Sequence, residues 1–258
     1  MIYNYIMKNE QEREILAIMQ DMQFATIEEL SKRLYVSPSS VRRKLDALQA
    51  KGLIIRTHGG ARITEESVFF PSFTFRTHQN VFAKKKIALE AVKFVKDGDV
   101  IFLDGSTSAF YVAGNLGTFK NLKVITNGID TLSLLSKTGI DAYSTGGRIE
   151  NENRSVLVGQ IAINTVNNYH ADVVFFSAQS VGRDGQIYDC FEQENYLRQA
   201  MIKSSTKKIF LCDGTKFDRR SPYKLCNLKD VDHIVSDGET DGYFIEDHSQ
   251  KTITVAGT

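Results

Sequence analysis

The chain has 258 residues, of which 42% are hydrophobic and 24% charged, with 32 Lys/Arg against 31 Asp/Glu. That length allows one large domain or two modest ones, and the composition excludes a disordered or collagen-like chain. Cys190, Cys212 and Cys226 form neither a disulfide framework nor a CxxC metal pattern, no apolar run nears the ~18 residues that span a bilayer, and MIYNYIMKNEQER is not a secretory leader. A reduced, cytoplasmic setting without a membrane partner is expected.

The near-zero net charge hides an asymmetry. Residues 31–63 hold eight bases against Asp46 alone, a net of +7, whereas residues 64–258 sum to −2. A basic patch confined to one small module suits a phosphate backbone as partner.

In chain order, Glu10–Met22 places apolar residues at 15, 16, 18, 19 and 22, which predicts a helix. Thr26-Ile-Glu-Glu then reads as a capping box opening a second helix with Ile27, Leu30 and Leu34 on one face. After the short turn Tyr35-Val36, Ser37-Pro38 starts a third helix with a capping hydroxyl followed by Pro at the first helical position. That helix keeps Val41, Leu45 and Leu48 inward and stops at Lys51-Gly52. Helical geometry sets Ser39, Arg43, Asp46 and Ala50 opposite the core stripe, with Arg42 and Lys44 on its flanks. Ser37, Ser39 and Ser40 at the helix start suit a phosphate, and Arg43 one turn later suits a base edge in the major groove. Residues 53–56 and 61–63 around Thr57-His58-Gly59-Gly60 read as a hairpin, with Arg56, His58 and Arg62 near the DNA backbone. The whole predicts a winged helix-turn-helix over residues 1–63.

These residues resemble a known family. Ser37-Pro-Ser-Ser-Val-Arg-Arg-Lys-Leu, then Arg56-Thr57-His58-Gly59-Gly60-Ala61, is similar to the DeoR-type bacterial transcriptional regulators, whose signature runs VS-x-x-TIRRDL and then RxHGGA. The resemblance implies double-stranded operator DNA as partner, with Gly59 and Gly60 in the DNA-binding hairpin. Lys44 stands where the family usually has Asp, and Ser40-Val41 where it has Thr-Ile.

Residues 64–77 read as a linker, but an aromatic one (Phe69, Phe70, Phe73, Phe75), expected to pack rather than to sway in solvent. Over 78–258, short apolar runs at 100–103, 122–126, 140–144, 173–177, 209–212 and 234–236 alternate with helical stretches. Those helices are 84–96, 108–116, 129–137, 157–168 and 193–204. This predicts a three-layer α/β domain with a mainly parallel sheet.

Ligands of such sheets sit beyond the strands' carboxyl ends. There the sequence repeats small hydroxyl and glycine residues: Asp104-Gly105-Ser106-Thr107-Ser108, Thr126-Asn127-Gly128, Thr145-Gly146-Gly147-Arg148 and Asp213-Gly214-Thr215-Lys216. Loops of this kind favour anions, and Lys216 adds a counter-charge. No P-loop, no GxGxxG after the first strand and no metal-ligand spacing is present, so neither a cofactor nor a metal is expected. His170, His233 and His248 are isolated.

The same stretch, from Phe75-Arg76 through Leu103-Asp104-Gly105-Ser106-Thr107 to Asp213-Gly214-Thr215-Lys216-Phe217, is similar to the sensor half of the DeoR-type regulators. The resemblance implies a fold like those of ribose-5-phosphate isomerase and the coenzyme A transferases. It implies a small-molecule effector, a phosphorylated sugar or related metabolite, that changes operator affinity. Carried over by position, Gly105, Ser106 and Thr107 would cradle a phosphate. Asp104, Thr126, Asn127, Gly146, Gly147 and Asp213 would line the pocket, Lys216 would pair with ligand charge, and Arg76 and Lys84 would reach it. Asn195 and Gly214-Thr215 depart from the family pattern.

The expected function is a sequence-specific transcriptional regulator, a repressor of carbohydrate-metabolism genes, and not an enzyme. A homo-oligomer is expected because such proteins read paired half-sites. The competing reading is a sugar-phosphate enzyme fused to a DNA-binding module, with Asp104, Asp189, Glu194, Asp213 and Lys216 as its ionisable groups.

Overall fold

The structure is a computed structural model describing residues 12, 14–16, 18–19, 24–50, 53–63, 73–238 and 252–255. The chain divides into two compact units, the first ending at Gln79 and the second beginning at Asn80.

In the first unit, helical residues between 12 and 19 contribute Ile15, Leu16 and Met19 to a buried core. Strand β1 (Phe24–Thr26) runs into helix α1 (Ile27–Leu34) through the expected capping box. The Thr26 hydroxyl accepts from the Glu29 amide at 3.1 Å, and the Glu29 carboxylate accepts from the Thr26 amide at 2.8 Å. Helix α2 (Pro38–Ala50) begins at the expected proline, with the Ser37 hydroxyl accepting from the Ser40 amide at 3.3 Å. Val41, Leu45 and Leu48 are its buried stripe. The expected stop at Lys51-Gly52 lies outside the described residues.

Strands β2 (Ile54–Thr57) and β3 (Gly60–Ile63) form the hairpin. Nothing in the residue pattern points to β1, which adds to β3 to make an antiparallel sheet ordered β1-β3-β2. Three residues carry too little alternation to read as a strand. Gly59 sits at φ +82°, and a Cβ on Gly60 would lie 2.4 Å from the Ala25 carbonyl oxygen. The first glycine therefore answers to the turn and the second to the closeness of β1. Of the aromatic linker, residues 64–72 lie outside the described residues. Phe73–His78 form a short helix, α3, in which Phe73 is buried.

The second unit starts with α4 (Val81–Ala91) and continues as β4 (Val100–Leu103), α5 (Thr107–Ala113), β5 (Lys123–Thr126), α6 (Ile129–Leu135) and β6 (Asp141–Ser144). A two-stranded ribbon, β7 (Arg148–Ile149) and β8 (Leu157–Val158), precedes α7 (Gln160–Asn167) and β9 (Ala171–Phe176). Then come β10 (Ser180–Val181), β11 (Gln186–Asp189), α8 (Glu192–Lys203), β12 (Ser205–Leu211), β13 (Tyr223–Asn227), β14 (His233–Ser236) and β15 (Thr252–Val255).

Seven strands form one sheet in the order β15-β14-β12-β9-β4-β5-β6, with every pair parallel. Phe102, Phe176 and Phe210 point from it into a core shared with Ala162 and Val166 of α7 and Leu197 and Met201 of α8. Helices α4 and α5 pack together and against strands of the sheet. Edge strand β15 was not expected from the sequence, but the central strands β4, β5 and β9, buried on both faces, read as continuous apolar runs, which is why they were legible. The small antiparallel sheet β10-β11-β13 was not, because its strands are short and partly exposed. Strand order reverses between β4 and β9, so the carboxyl ends of those two strands form the topological switch point. Among the described residues, no helix is long and apolar enough to cross a membrane.

Candidate functional site

On the first unit, the side of α2 away from the core carries the residues read from the sequence. Ser37, Ser39, Arg42 and Arg43 are exposed, and Ser40 and Lys44 half-buried. Ser40, Arg43 and Lys44 border a recess that also includes Glu12. The Ser37 and Ser39 hydroxyls lie 2.9 Å apart. His58 and Gly59 are exposed at the hairpin tip, while Gly60 is buried beneath β1. The Ile27 amide donates to the Gly59 carbonyl at 2.9 Å, so the tip is held against the start of α1.

Arg56 is placed differently from expectation. Its guanidinium pairs with Asp46 and donates to the Arg42 carbonyl, and its amide donates to the Gln49 side chain at 3.0 Å. Rather than reaching outward, Arg56 binds the hairpin to α2. The lone acid in a run of bases was the available signal for such a pair.

In the second unit, the loop after β4 is built around a carboxylate. Asp104 is 1% exposed; its two oxygens accept from the Ser106 amide (3.1 Å), the Ser177 amide (3.2 Å) and Arg198 Nε (2.8 Å). Arg198 of α8, itself buried, also donates to Asp189 (3.2 Å), Asn195 (3.0 Å) and Glu194 (3.4 Å). Asn153 donates to Glu194 at 2.8 Å. Burial alone would push the Arg198 pKa down, but Asp189, Asp104 and Glu194 outweigh it and raise it. Asp104, buried and held by three donors, thus stands behind the loop. Arg198, Ser177 and Asn153 were missed from sequence; only the i,i+4 pair Glu194–Arg198 was visible there.

Around that hub, Ser106 caps α5 by accepting from the Ala109 amide at 3.1 Å, and Thr107 is buried. A Cβ on Gly105 would lie 2.3 Å from Val156, so packing against the segment before β8 demands glycine there. Asn127 donates to the Leu157 carbonyl at 3.1 Å, and its Oδ1 is buried with no hydrogen-bond partner among the described residues. An unanswered buried acceptor at a strand end fits a ligand donor. The Thr126 hydroxyl accepts from the Gly128 amide at 3.0 Å. Gly146 and Gly147 both have positive φ, and a Cβ on Gly147 would lie 2.4 Å from the Val158 carbonyl.

A second cluster forms across the ends of β9 and β12. Lys216 donates to the Ser177 hydroxyl at 2.6 Å, which donates to the Leu211 carbonyl at 2.7 Å. Asp213 is buried; burial alone would raise its pKa, but Lys216, the Thr215 hydroxyl and Lys84 together hold its carboxyl below the usual range. Lys84 of α4 is also buried. Lys84, Asp213 and Lys216 are thus brought together, and Asp104, Gly105, Ser106 and Asn127 lie around the switch point. Arg76 belongs to α3 of the first unit, its guanidinium 5.8 Å from the Phe73 ring centre. No group of three or more His, Cys, Asp or Glu among the described residues could hold a metal ion.

Comparison with known proteins agrees with this division. Residues 12–67 match the DeoR-like helix-turn-helix domain and residues 79–238 the DeoR C-terminal sensor domain. The chain is 32% identical over 231 residues to the HTH-type transcriptional regulator GolR of Listeria innocua, covering 89% of this chain and 91% of that one. It is 27% identical over 241 residues to the glycerol-3-phosphate regulon repressor of Haemophilus influenzae, covering 93% of each. Among solved structures, ribose 5-phosphate isomerase A of Methanocaldococcus jannaschii aligns over 52% of this chain and 53% of its own, at 20% identity and TM-score 0.39. With both domains matched in order along the chain, the protein belongs to the DeoR family of DNA-binding transcriptional regulators.

Proposed function

We propose that the protein is a repressor of carbohydrate-metabolism genes whose grip on operator DNA is controlled by a phosphorylated sugar or related metabolite. Helix α2 enters the major groove and Arg43 reads a base edge. Ser37, Ser39, Ser40, Arg42 and Lys44 meet phosphates, with His58 and Gly59 of the hairpin at the flanking backbone. The observation that carries this is the outward face of α2, polar and basic from Ser37 to Lys44 and fixed against the hairpin by Arg56. Arg56 and Gly60 serve the site by holding it together. The chain acts in the cytoplasm as a homo-oligomer on paired half-sites.

The effector occupies the strand-end loops of the second unit, with Ser106, Thr107, Asn127 and Lys216 in reach and Lys84 and Asp213 beneath. Effector and operator favour different arrangements, so each weakens the other by the same factor. Turnover is not part of this reading. A general base must reach the substrate proton, and Asp104 is buried and held by Arg198 and two backbone amides.

Arg43→Ala should weaken operator binding by about 1–3 kcal/mol and relax preference at one base pair of each half-site, measured by titration against single-substituted duplexes. An equal loss on every sequence would reassign Arg43 to the phosphate backbone.

A further inference from the structure

The first residue of the second unit is Asn80, and its side chain does something the helix does not require. The backbone of Asn80 is left-handed (φ 50°, ψ 41°), its carbonyl accepts from the Lys84 amide at 2.9 Å, and its side chain makes no capping bond to α4. Glycine would satisfy that backbone at least as well. The amide instead reaches across the fold to the loop after β12, where Nδ2 donates to Asp213 Oδ1 at 3.1 Å and to Thr215 Oγ1 at 3.2 Å. Asp213 Oδ1 also accepts from the Thr215 amide and hydroxyl. One turn further along α4, Lys84 adds its charge beside Asp213. The start of α4 is therefore tied to the 213–216 loop by the Asn80 side chain.

Asn80 and Thr215 are exposed and Lys216 half-buried, so solvent reaches the clamp. Hydrogen bonds at a wet rim contribute little net stability and exchange readily for equivalent bonds. Just before Asn80 the chain passes to the DNA-binding unit.

We infer that Asn80 is a positioning residue through which ligand at the 213–216 loop acts on DNA binding: a ligand hydroxyl donating to Asp213 or Thr215 competes with the Asn80 amide and releases the first turn of α4. This rests on the reading of the strand-end loops as the effector site. The clamp touches neither α2 nor a base, so a chain without it stands as the liganded chain does: its DNA affinity is already shifted, and ligand adds little further change.

The test uses the full chain with Asn80→Gly, which keeps the left-handed backbone and deletes the amide, and Asn80→Asp, which sets a carboxylate against Asp213. The DNA probe is a duplex selected by the wild-type chain from a random pool. The ligand probes are pentose 5-phosphates, hexose 6-phosphates and glycerol 3-phosphate, screened by thermal shift. The expected result is that both variants bind the active ester at least as tightly as wild type and bind duplex about tenfold more weakly than unliganded wild type, as the liganded wild type does. The ester should then change duplex affinity less than about twofold, where wild type changes by about tenfold, within the usual range of such couplings. A wild-type-sized response in either variant overturns the proposal, as does loss of ester binding, which would make Asn80 a ligand contact. If no ester moves the wild-type chain on DNA, the effector-site reading itself fails and the clamp falls with it.

Discussion

Arg198 shows how one side chain can hold a site it does not enter. Three carboxylates, from the ends of β4 and β11 and the first turn of α8, converge on a guanidinium that is 4% exposed. A planar fork with five donors can serve all three and Asn195 besides, which a lysine ammonium cannot. Breaking a buried pair by removing one partner costs about 3–5 kcal/mol, because the charges left behind have no water to turn to. Arg198→Leu should therefore lower the stability of the second unit by at least that much in a urea titration, with Arg198→Lys in between. A variant within ~0.5 kcal/mol of wild type would mean that the carboxylates are satisfied some other way. Little of this hub was legible in the sequence. Asp104 announced itself as the polar residue ending an apolar run, but its partners lie 73 and 94 positions away, at Ser177 and Arg198. Spacing rules speak for neighbours along a helix or strand, not for contacts that only a closed sheet creates.

Elements with their own local code were read correctly from sequence. Helix α1 carries its capping box, α2 its Ser-Pro start, and the central strands their unbroken apolar runs. What escaped were elements whose only reason to form is a neighbour: β1 on the flank of β3, the ribbon β7–β8 where a helix was expected from residue 157, β10, β11 and β13 over α8, and β15 beside β14. Gly59 and Gly60 separate the two kinds of cause within one dipeptide. Gly59 is fixed by its own φ, and nothing lies near its missing Cβ; Gly60 is fixed by Ala25, 35 positions earlier. Gly59→Ala should cost about 1–2 kcal/mol, the price of a left-handed alanine. Gly60→Ala must instead push β1 away from β3, so its melting temperature should fall further and DNA binding should go with it. Equal tolerance of the two substitutions would show that β1 does not depend on that close approach.

At the scale of the whole chain, a net charge of +1 is the sum of two unlike units, and the sequence alone was enough to separate them. The residues proposed to meet DNA lie in the first and those proposed to meet an anionic metabolite in the second. The +7 of residues 31–63 nevertheless overstates what faces a duplex, since Arg56 is paired with Asp46. The consequence concerns ionic strength. Each phosphate neutralised by a protein cation releases counterions and adds about 0.9 to the slope of log affinity against log salt. A guanidinium already paired within the domain releases none, so Arg56→Gln should leave that slope unchanged, while Asp46→Asn should steepen it by up to about 0.9 as Arg56 turns to the duplex. A shallower slope in Arg56→Gln would place that guanidinium on a phosphate after all. With Arg56 held by Asp46, occupancy of DNA should vary less with ionic strength than a count of lysines and arginines suggests.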